Sequence, residues 1–347
     1  MARADAADRK RQEKRAKEAH VFAMEAEVER LNAEADSVGE ELESILAATL
    51  DVDDYVDLES LRIPQNPPPY PSPELAPFDP GPPIPAPPAP PQLSLPPAPT
   101  GLGGLLGRGK YKRACELAKS EHEERMRLWE RHCQDLDAQL TQRTQLVQAA
   151  YVAQATENNR QLDTLINNLA YGVPEAVDEY VSIVLANSVY PDCLDVGHEF
   201  SFDPVTAELK LAVMISPPDT VPNRAAYKYT KSKDEITSKE LTVKVKKERY
   251  ASIVHQVALR SLHEVFEADR RGLIKSISLE VVTETIDPAT GNDVRIPFVA
   301  VATARDPFED LNLARVTPDA SLSHLGASIS KNPHDLVPAD TSGIRRA

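Results

Sequence analysis

The sequence predicts an α+β protein in which long coiled-coil helices and a proline-rich spacer are followed by a small antiparallel-sheet domain with covering helices. Three observations predict it. Two segments repeat apolar residues at alternating intervals of three and four, about half of residues 64–99 are proline, and residues 174–335 alternate helical with strand periodicity. The predicted parts are a first helix (1–50), a proline-rich linker (51–106), a second helix (107–171), the α+β domain (172–335) and a tail (336–347).

The first long helix is predicted over residues 4–48. From Val21 onward its apolar positions follow a 3.5-residue period, which is the period of a coiled-coil seam. The seam includes Val28, Leu31, Val38 and Leu42. Because a single exposed helix with such a seam is marginal in water, we expect a partner helix. A lone charged helix is the alternative.

The proline-rich segment, residues 64–99, lacks the backbone donors that a helix or a strand ladder requires. It is expected to adopt polyproline II at about 3.1 Å per residue. We interpret it as an extended spacer, and the alternative is a docking site for an SH3-type domain. Gly101–Gly107 is predicted to be a hinge.

The second long helix is predicted over residues 110–169, with a seam that includes Trp129, Leu136 and Leu140. Trp129 is the only tryptophan and is expected to anchor the helix–helix contact. Arg143 also occupies a seam position, where a polar residue is expected to fix the register at some cost in stability. Whether the two seams pair within one chain or between chains is left open.

Residues 174–335 show the periodicities of a globular domain. A helix is predicted over 176–187, and strands 196–202 and 209–215 form a hairpin. A second helix over 248–271 precedes a second hairpin, formed by 277–281 and 294–300 around the Asp287–Gly291 turn. This order indicates an antiparallel sheet covered by helices.

The composition excludes several classes of protein. The 347 residues carry a net charge of −15, so any contact with nucleic acid must be local. No stretch of about 18 apolar residues exists, and the N-terminus lacks the apolar core of a signal peptide. Three cysteines without metal-ligand spacing point to a reducing compartment. We therefore expect a cytoplasmic protein without a membrane partner.

Catalytic motifs are missing from the sequence. It contains no phosphate-binding loop and no Gly-x-Ser-x-Gly. His255 and His263 lie eight residues apart on a predicted helix, without a carboxylate placed to complete a metal site. We therefore predict no catalytic residue, no metal and no cofactor.

One pattern resembles the metal-binding set of divalent-cation nucleases. Asp203 is followed by Glu208 and Lys210, and in such sets two carboxylates hold the cation and the lysine stabilises the scissile phosphate. Strand alternation offers a simpler interpretation, in which Glu208 and Lys210 point to water.

A basic stretch stands out in the acidic chain. It runs from Arg224 to Arg249, with tyrosines at 227, 229 and 250. The candidate nucleic-acid-binding residues are Lys228, Lys231, Lys233, Lys244, Lys246, Lys247 and Arg249. Lysines can neutralise phosphates, and tyrosines can stack on bases. The alternative is a strand edge that lysine protects from unwanted pairing.

Several short segments are similar to a known family. They are Asn159–Asp163, Gly172–Tyr180, Phe202–Pro204, Tyr227–Lys231, Leu262–Glu264, Phe266–Asp269 and Asp287–Gly291. In this order they resemble the non-catalytic N-terminal region of Mrr-like bacterial restriction system proteins, over about residues 157–335.

The resemblance implies a role in restriction or phage defence. In that family the nuclease is a separate C-terminal domain, and we expect this chain to lack it, because the sequence ends soon after the matching region. The predicted function is therefore non-enzymatic assembly or targeting. The helices would self-associate, and the α+β domain would bind DNA or a separately encoded nuclease or ATPase. The alternatives are a structural scaffold without nucleic-acid function and a metal-dependent nuclease.

Overall fold

The computed structural model describes residues 2–79, 81–98, 108–287 and 289–342, with side chains from residue 11 onward. Two compact units are present. Unit 1 comprises the chain through Asp57 and from Leu165 onward, and unit 2 comprises Leu58–Thr164. The predicted Gly101–Gly107 hinge lies outside the described residues, as do Pro288 and residues 343–347. The mixed α+β class is confirmed.

The helices and strands that the sequence predicted lie close to their predicted positions, and the structure adds a strand pair within 224–240, two short helices after residue 304 and a strand at 328–329. The helices are α1 (Ala2–Glu43), α2 (Arg108–Ala170), α3 (Pro174–Ala186), α4 (Val243–Ala268), α5 (Arg305–Glu309) and α6 (Pro318–His324). The strands are β1 (Val196–Asp203), β2 (Glu208–Ile215), β3 (Arg224–Thr230), β4 (Glu235–Glu240), β5 (Ser276–Ile286), β6 (Asp293–Ala304) and β7 (Ser328–Ile329). Among the described helices, none is both long enough and apolar enough to cross a membrane.

The main sheet of unit 1 is mixed, with strand order β1-β2-β5-β6-β7. The two predicted hairpins are present, since β1 pairs antiparallel with β2 and β5 pairs antiparallel with β6. The prediction of a purely antiparallel sheet is wrong, because β2 and β5 pair in parallel. Parallel neighbours need a long crossover, and α4 lies within that connection. A second sheet contains β3 and β4 alone.

The core of unit 1 lies between one face of this sheet and the helices. Leu209, Leu211 and Val213 of β2 alternate toward it and are at most 1% exposed, in register with Ile277, Leu279 and Val281 of β5. Fully buried apolar residues of α4, including Val257 and Leu262, belong to the same core. The apolar residues that alternate along the strands and those on one face of α4 therefore pack together in one apolar layer.

Helix α4 begins five residues before the predicted start at Glu248. The Thr242 hydroxyl accepts a hydrogen bond from the backbone N–H of Val245 at 3.4 Å, so threonine occupies the N-cap position. The helix ends at Ala268. The carboxylate of the next residue, Asp269, accepts hydrogen bonds from the backbone N–H groups of Leu273 and Ile274.

Helix α1 ends against α4 inside unit 1. It stops at Glu43, earlier than the predicted residue 48, and a 3-10 turn follows at Ala47–Thr49. The last carbonyl groups of a helix lack partners within it. Gln256 Nε2 donates to the Leu42 carbonyl at 3.1 Å, and an Arg260 guanidinium nitrogen donates to the Ile45 carbonyl at 3.2 Å. Side chains of α4 therefore satisfy the Leu42 carbonyl at the end of α1 and the Ile45 carbonyl just after it.

Unit 2 consists of the proline-rich segment and most of α2, running in opposite directions. Asn159 forms two hydrogen bonds with the backbone of Ile63, at 2.8 and 2.9 Å. Further along, Gln148 Nε2 donates to the Pro68 carbonyl at 3.1 Å, and Trp129 Nε1 donates to the Pro88 carbonyl at 2.7 Å. Polyproline II leaves its carbonyl groups unpaired, so side chains with N–H groups can bind them.

Arg143 holds the middle of the proline-rich segment. Its Nε donates to Asp79 at 2.6 Å, and its other nitrogens donate to the carbonyls of Gly81 and Pro82. From Pro82 to Pro88 polyproline II rises about 19 Å, close to the rise of about 21 Å along α2 from Arg143 to Trp129. Between these two contacts the segment and the helix therefore advance by similar distances. Arg143 binds this segment, and its role in helix–helix register stays a prediction.

The predicted seam residues have mixed surroundings. In α1, Leu42 is 1% exposed, while Val28, Leu31 and Val38 are half-buried. In α2, Leu136 is buried, Trp129 is half-buried and Leu140 is 41% exposed. Within unit 1 the C-terminal end of the first seam thus packs into the domain core. Helix pairing in a coiled coil stays a prediction.

Candidate functional site

The basic stretch forms a two-stranded ribbon, which we define as β3 and β4 with their turn, Arg224–Glu240. The strands pair antiparallel, with Ala226 opposite Lys239 and Lys228 opposite Thr237. Exposure alternates along β3, because 224, 226 and 228 are exposed whereas 225, 227 and 229 are half-buried. The sequence pattern indicated lysines on strands and loops but did not predict that they share one ribbon.

Three ribbon lysines are available to an outside ligand. Lys228 and Lys239 lie on the same exposed face as diagonal neighbours, about 7–8 Å apart between Cα atoms. Lys233 lies in the exposed turn between the strands. None of the three forms an ion pair with a side chain that the structure describes. The outer face of the ribbon therefore carries positive charge without a bound carboxylate.

Of the seven candidate residues that the sequence predicted, five already contact other groups of the protein. Lys231 pairs with Glu25 at 2.8 Å, Lys246 with Glu240 at 2.6 Å, Lys244 with Glu248 at 3.7 Å and Lys247 with Asp335. Arg249 donates to the Pro222 carbonyl at 3.4 Å. These carboxylates reduce the local positive charge that the sequence suggested. The seven predicted residues thus divide into Lys228 and Lys233, without such pairs, and the remaining five.

The inner side of the ribbon lies against α1. The Asn32 side chain accepts a hydrogen bond from the Tyr227 N–H at 2.6 Å and donates to the Tyr227 carbonyl at 3.2 Å. Asn32 thereby satisfies backbone groups at the free edge of β3, which could otherwise pair with another strand. The Tyr229 hydroxyl donates to Asp234 at 2.5 Å.

The three tyrosines of the basic stretch are half-buried or buried. Tyr227 and Tyr229 are half-buried, and Tyr250 is 1% exposed. The Tyr250 ring packs edge-to-face on Phe298 at 5.8 Å, and its hydroxyl donates to the Ser216 carbonyl at 2.8 Å. The prediction that Tyr250 stacks on bases is wrong, because this residue belongs to the core.

A cleft of about 540 Å³ lies at the root of the ribbon. Its lining includes Lys246, Arg249, Tyr250 and His334 together with Pro217, Pro218 and Pro222. Lys246 and Arg249 face it while bound to Glu240 and the Pro222 carbonyl.

The nuclease-like residues lie on one face of the main sheet. Asp203 is directly opposite Glu208 in the β1–β2 register, and Lys210 follows on the same side. The prediction that Glu208 points to water is wrong, since it is 9% exposed and accepts a hydrogen bond from the Ser278 hydroxyl at 2.6 Å. The Asp203 carboxylate accepts from the Val205 N–H and the Thr206 hydroxyl, and these bonds lower its pKa.

A buried polar cluster joins α4 to the segment after α1. Arg260 Nε donates to Glu264 at 2.6 Å, and their side chains are 5% and 1% exposed. The Ser188 and Thr49 hydroxyls donate to the same Glu264 carboxylate, and the Arg260 guanidinium lies 4.3 Å from the centre of the Tyr190 ring. Each charge is therefore matched inside the protein.

Three potential metal ligands lie beside this cluster. Donor atoms of Asp54, His263 and Glu267 all lie within 4.8 Å of one another. Burial, with the Glu264 and Glu267 carboxylates nearby, raises the pKa of Asp54 to about 7, whereas burial lowers the pKa of His263. The prediction that no carboxylate is placed to complete a metal site is wrong for His263. Glu267 follows at i+4 on the same helix face, a spacing visible in the sequence, while Asp54 is distant in sequence.

His198 on β1 gives a testable pH dependence. Its Nε2 is enclosed, with no hydrogen-bond partner among the described residues, and burial lowers its pKa from 6.5 to about 4. Between these values the unfolded chain binds the proton and the folded chain does not, so stability falls as the pH falls. We expect His198 to contribute about 3 kcal/mol to this loss.

The measurement is chemical denaturation above pH 6.5 and near pH 4. His198→Gln should lose less stability over this interval than the wild type. His324→Gln, on the exposed C-terminal end of α6, is the control and should retain the wild-type profile. A profile for His198→Gln identical to that of the wild type would contradict the assignment.

Known proteins offer no further guide to this site. No family model matches the chain, and neither a curated protein nor a solved structure matches it. The resemblance to Mrr-like proteins thus rests on the residues quoted for it.

Proposed function

We propose that this chain is a non-enzymatic assembly and targeting protein of a bacterial restriction or phage-defence system, and that unit 1 contacts duplex DNA through the ribbon. The defence context comes from the resemblance to the N-terminal region of Mrr-like proteins. The DNA contact comes from the charge and shape of the ribbon.

The observation that carries the DNA contact is the outer face of the ribbon. A two-stranded ribbon has dimensions that the major groove of duplex DNA admits. Lys228 and Lys239 lie on its exposed face and Lys233 at its turn, where lysines without paired carboxylates can bind phosphates. Duplex DNA is favoured over single strands because the tyrosines that would stack on bases are half-buried or buried.

The affinity of the chain for a short DNA duplex tests this proposal. Each lysine–phosphate attraction amounts to about 1 kcal/mol in water, so reversing Lys228, Lys233 and Lys239 to glutamate should lower the affinity about 100-fold or more. The control reverses three exposed lysines elsewhere, Lys112, Lys119 and Lys331, and changes the net charge equally. It should bind nearly as the wild type does.

Two outcomes would overturn the DNA contact. Equal losses in the ribbon variant and the control would show that only net charge matters. Absence of binding by the wild type would instead favour a separately encoded nuclease or ATPase as the partner of unit 1, or a structural scaffold. Copurification with a nuclease or ATPase from a neighbouring gene would distinguish the partner from the scaffold.

Self-association belongs to the same proposal and is supported by exposed apolar residues of α2. Leu117, Leu128 and Leu146 are 60%, 53% and 65% exposed. At about 100° per residue they fall on one side of the helix. Exposed apolar side chains along one helix face favour contact with another helix.

A second candidate function is metal-dependent DNA cleavage, favoured by the strand register that places Asp203 opposite Glu208 with Lys210 on the same face. If it operates, cleavage of duplex DNA should require Mg²⁺ or Mn²⁺ and should disappear in Asp203→Asn. Cleavage that survives this substitution, or no cleavage with any divalent ion, would exclude this role for Asp203.

A further inference from the structure

Metal-binding side chains from two distant parts of unit 1 meet beside α4. Asp54 follows the 3-10 turn after α1, whereas His263 and Glu267 lie one turn apart on α4. Their donor atoms all lie within 4.8 Å of one another, and His263 Nε2 is 3.7 Å from a Glu267 carboxylate oxygen. The site includes an imidazole as well as carboxylates.

The neighbours of these groups satisfy them only in part, because the Thr49 hydroxyl donates to Asp54 at 3.4 Å and the Asp54 N–H donates to Glu267 at 3.3 Å. His263 Nε2 is enclosed by protein and has no hydrogen-bond partner among the described residues. The two carboxylates lie side by side, and they repel each other when both are ionised. The nearby Arg260 guanidinium is held by Glu264 and the Ile45 carbonyl, and Arg270 is bound to Asp53. A cation among the three donors would accept the imidazole lone pair and offset the negative charge of the carboxylates.

We infer that Asp54, His263 and Glu267 bind a divalent transition-metal ion, with Zn²⁺ as the ion that best suits one imidazole and two carboxylates. The His263 side chain is 19% exposed and that of Glu267 is 36% exposed, so water can reach the site as a further ligand. The ion would fasten the segment after α1 to α4. This site is independent of the proposed DNA contact.

Co²⁺ is the spectroscopic probe for the test, since its visible absorption reports coordination by protein ligands. The full chain, first treated with a chelator, should bind one Co²⁺, release it to Zn²⁺ and melt at a higher temperature with Zn²⁺. His263→Gln should lower the affinity for Co²⁺ more than about 100-fold, beyond the usual effect of outer-shell substitutions. Glu267→Gln, at the more exposed ligand, should also weaken binding.

The matched control is His255→Gln, which changes another histidine with an enclosed Nε2, two turns earlier on α4 and outside the three-donor group. It should keep the Co²⁺ spectrum and the Zn²⁺-dependent rise in melting temperature. Melting of each variant without metal verifies that it folds. The inference is overturned if the wild type binds no Co²⁺, or if His263→Gln and Glu267→Gln both bind it as the wild type does.

Discussion

Replacing Arg260 with alanine should lower the free energy of unfolding by about 3–5 kcal/mol, the usual cost of removing one partner from a buried ion pair. Arg260 and Glu264 are 5% and 1% exposed in their side chains, so the remaining carboxylate would be buried without its cation. The substitution also removes the donor to the Ile45 carbonyl. Chemical denaturation measures the loss.

Two further variants distinguish the effect of breaking the ion pair from the general effect of losing a long side chain. Arg30→Ala removes an arginine that is 60% exposed and pairs with Glu27 and Glu34 on α1, and it should leave stability close to the wild type. The double variant Arg260→Met/Glu264→Leu removes both charges and should be less destabilised than Arg260→Ala. A double variant that is less stable than the single one would contradict the unpaired-charge explanation.

Tyr250→Ala should cost about 3–5 kcal/mol, because it leaves a cavity where a large side chain is almost fully enclosed. Tyr250→Phe keeps the ring against Phe298 and loses only the hydrogen bond to the Ser216 carbonyl, so it should cost about 0.5–1.5 kcal/mol. Denaturation curves of both variants test this difference.

Tyr171, which is 88% exposed, provides the control, and Tyr171→Ala should change stability by no more than about 0.5 kcal/mol. Tyr250→Phe should also bind DNA as the wild type does. A small loss of stability in Tyr250→Ala together with a large loss of DNA affinity would restore the stacking interpretation for this residue.

The sequence predicted the elements of the fold better than their connections. Alternation of apolar residues located both hairpins, since one face of each strand lies in the core. The parallel pairing of β2 with β5 was not predictable in this way, because two hairpins separated by a helix can join in either direction. The proline-rich segment was expected to be a spacer, and it binds α2 through donors such as Asn159 and Trp129, whose spacing follows no simple period.

The candidate site was predicted in part. The basic composition located the ribbon, but composition does not show which lysines have a carboxylate beside them. Lys231 is engaged by Glu25 of α1, and Lys247 by Asp335, both distant in sequence. Asp54 likewise joins His263 only through the packing of the segment after α1 on α4. Long-range packing therefore decides which of the predicted residues are available.

The salt dependence of duplex binding tests the central claim most directly. Each phosphate that a lysine neutralises contributes about 0.9 to the slope of log affinity against log salt concentration. The slope for the variant with glutamate at 228, 233 and 239 should therefore be shallower than that of the wild type by about three. The variant changed at 112, 119 and 331 should keep the wild-type slope. Identical slopes for all three proteins would contradict DNA binding by the ribbon.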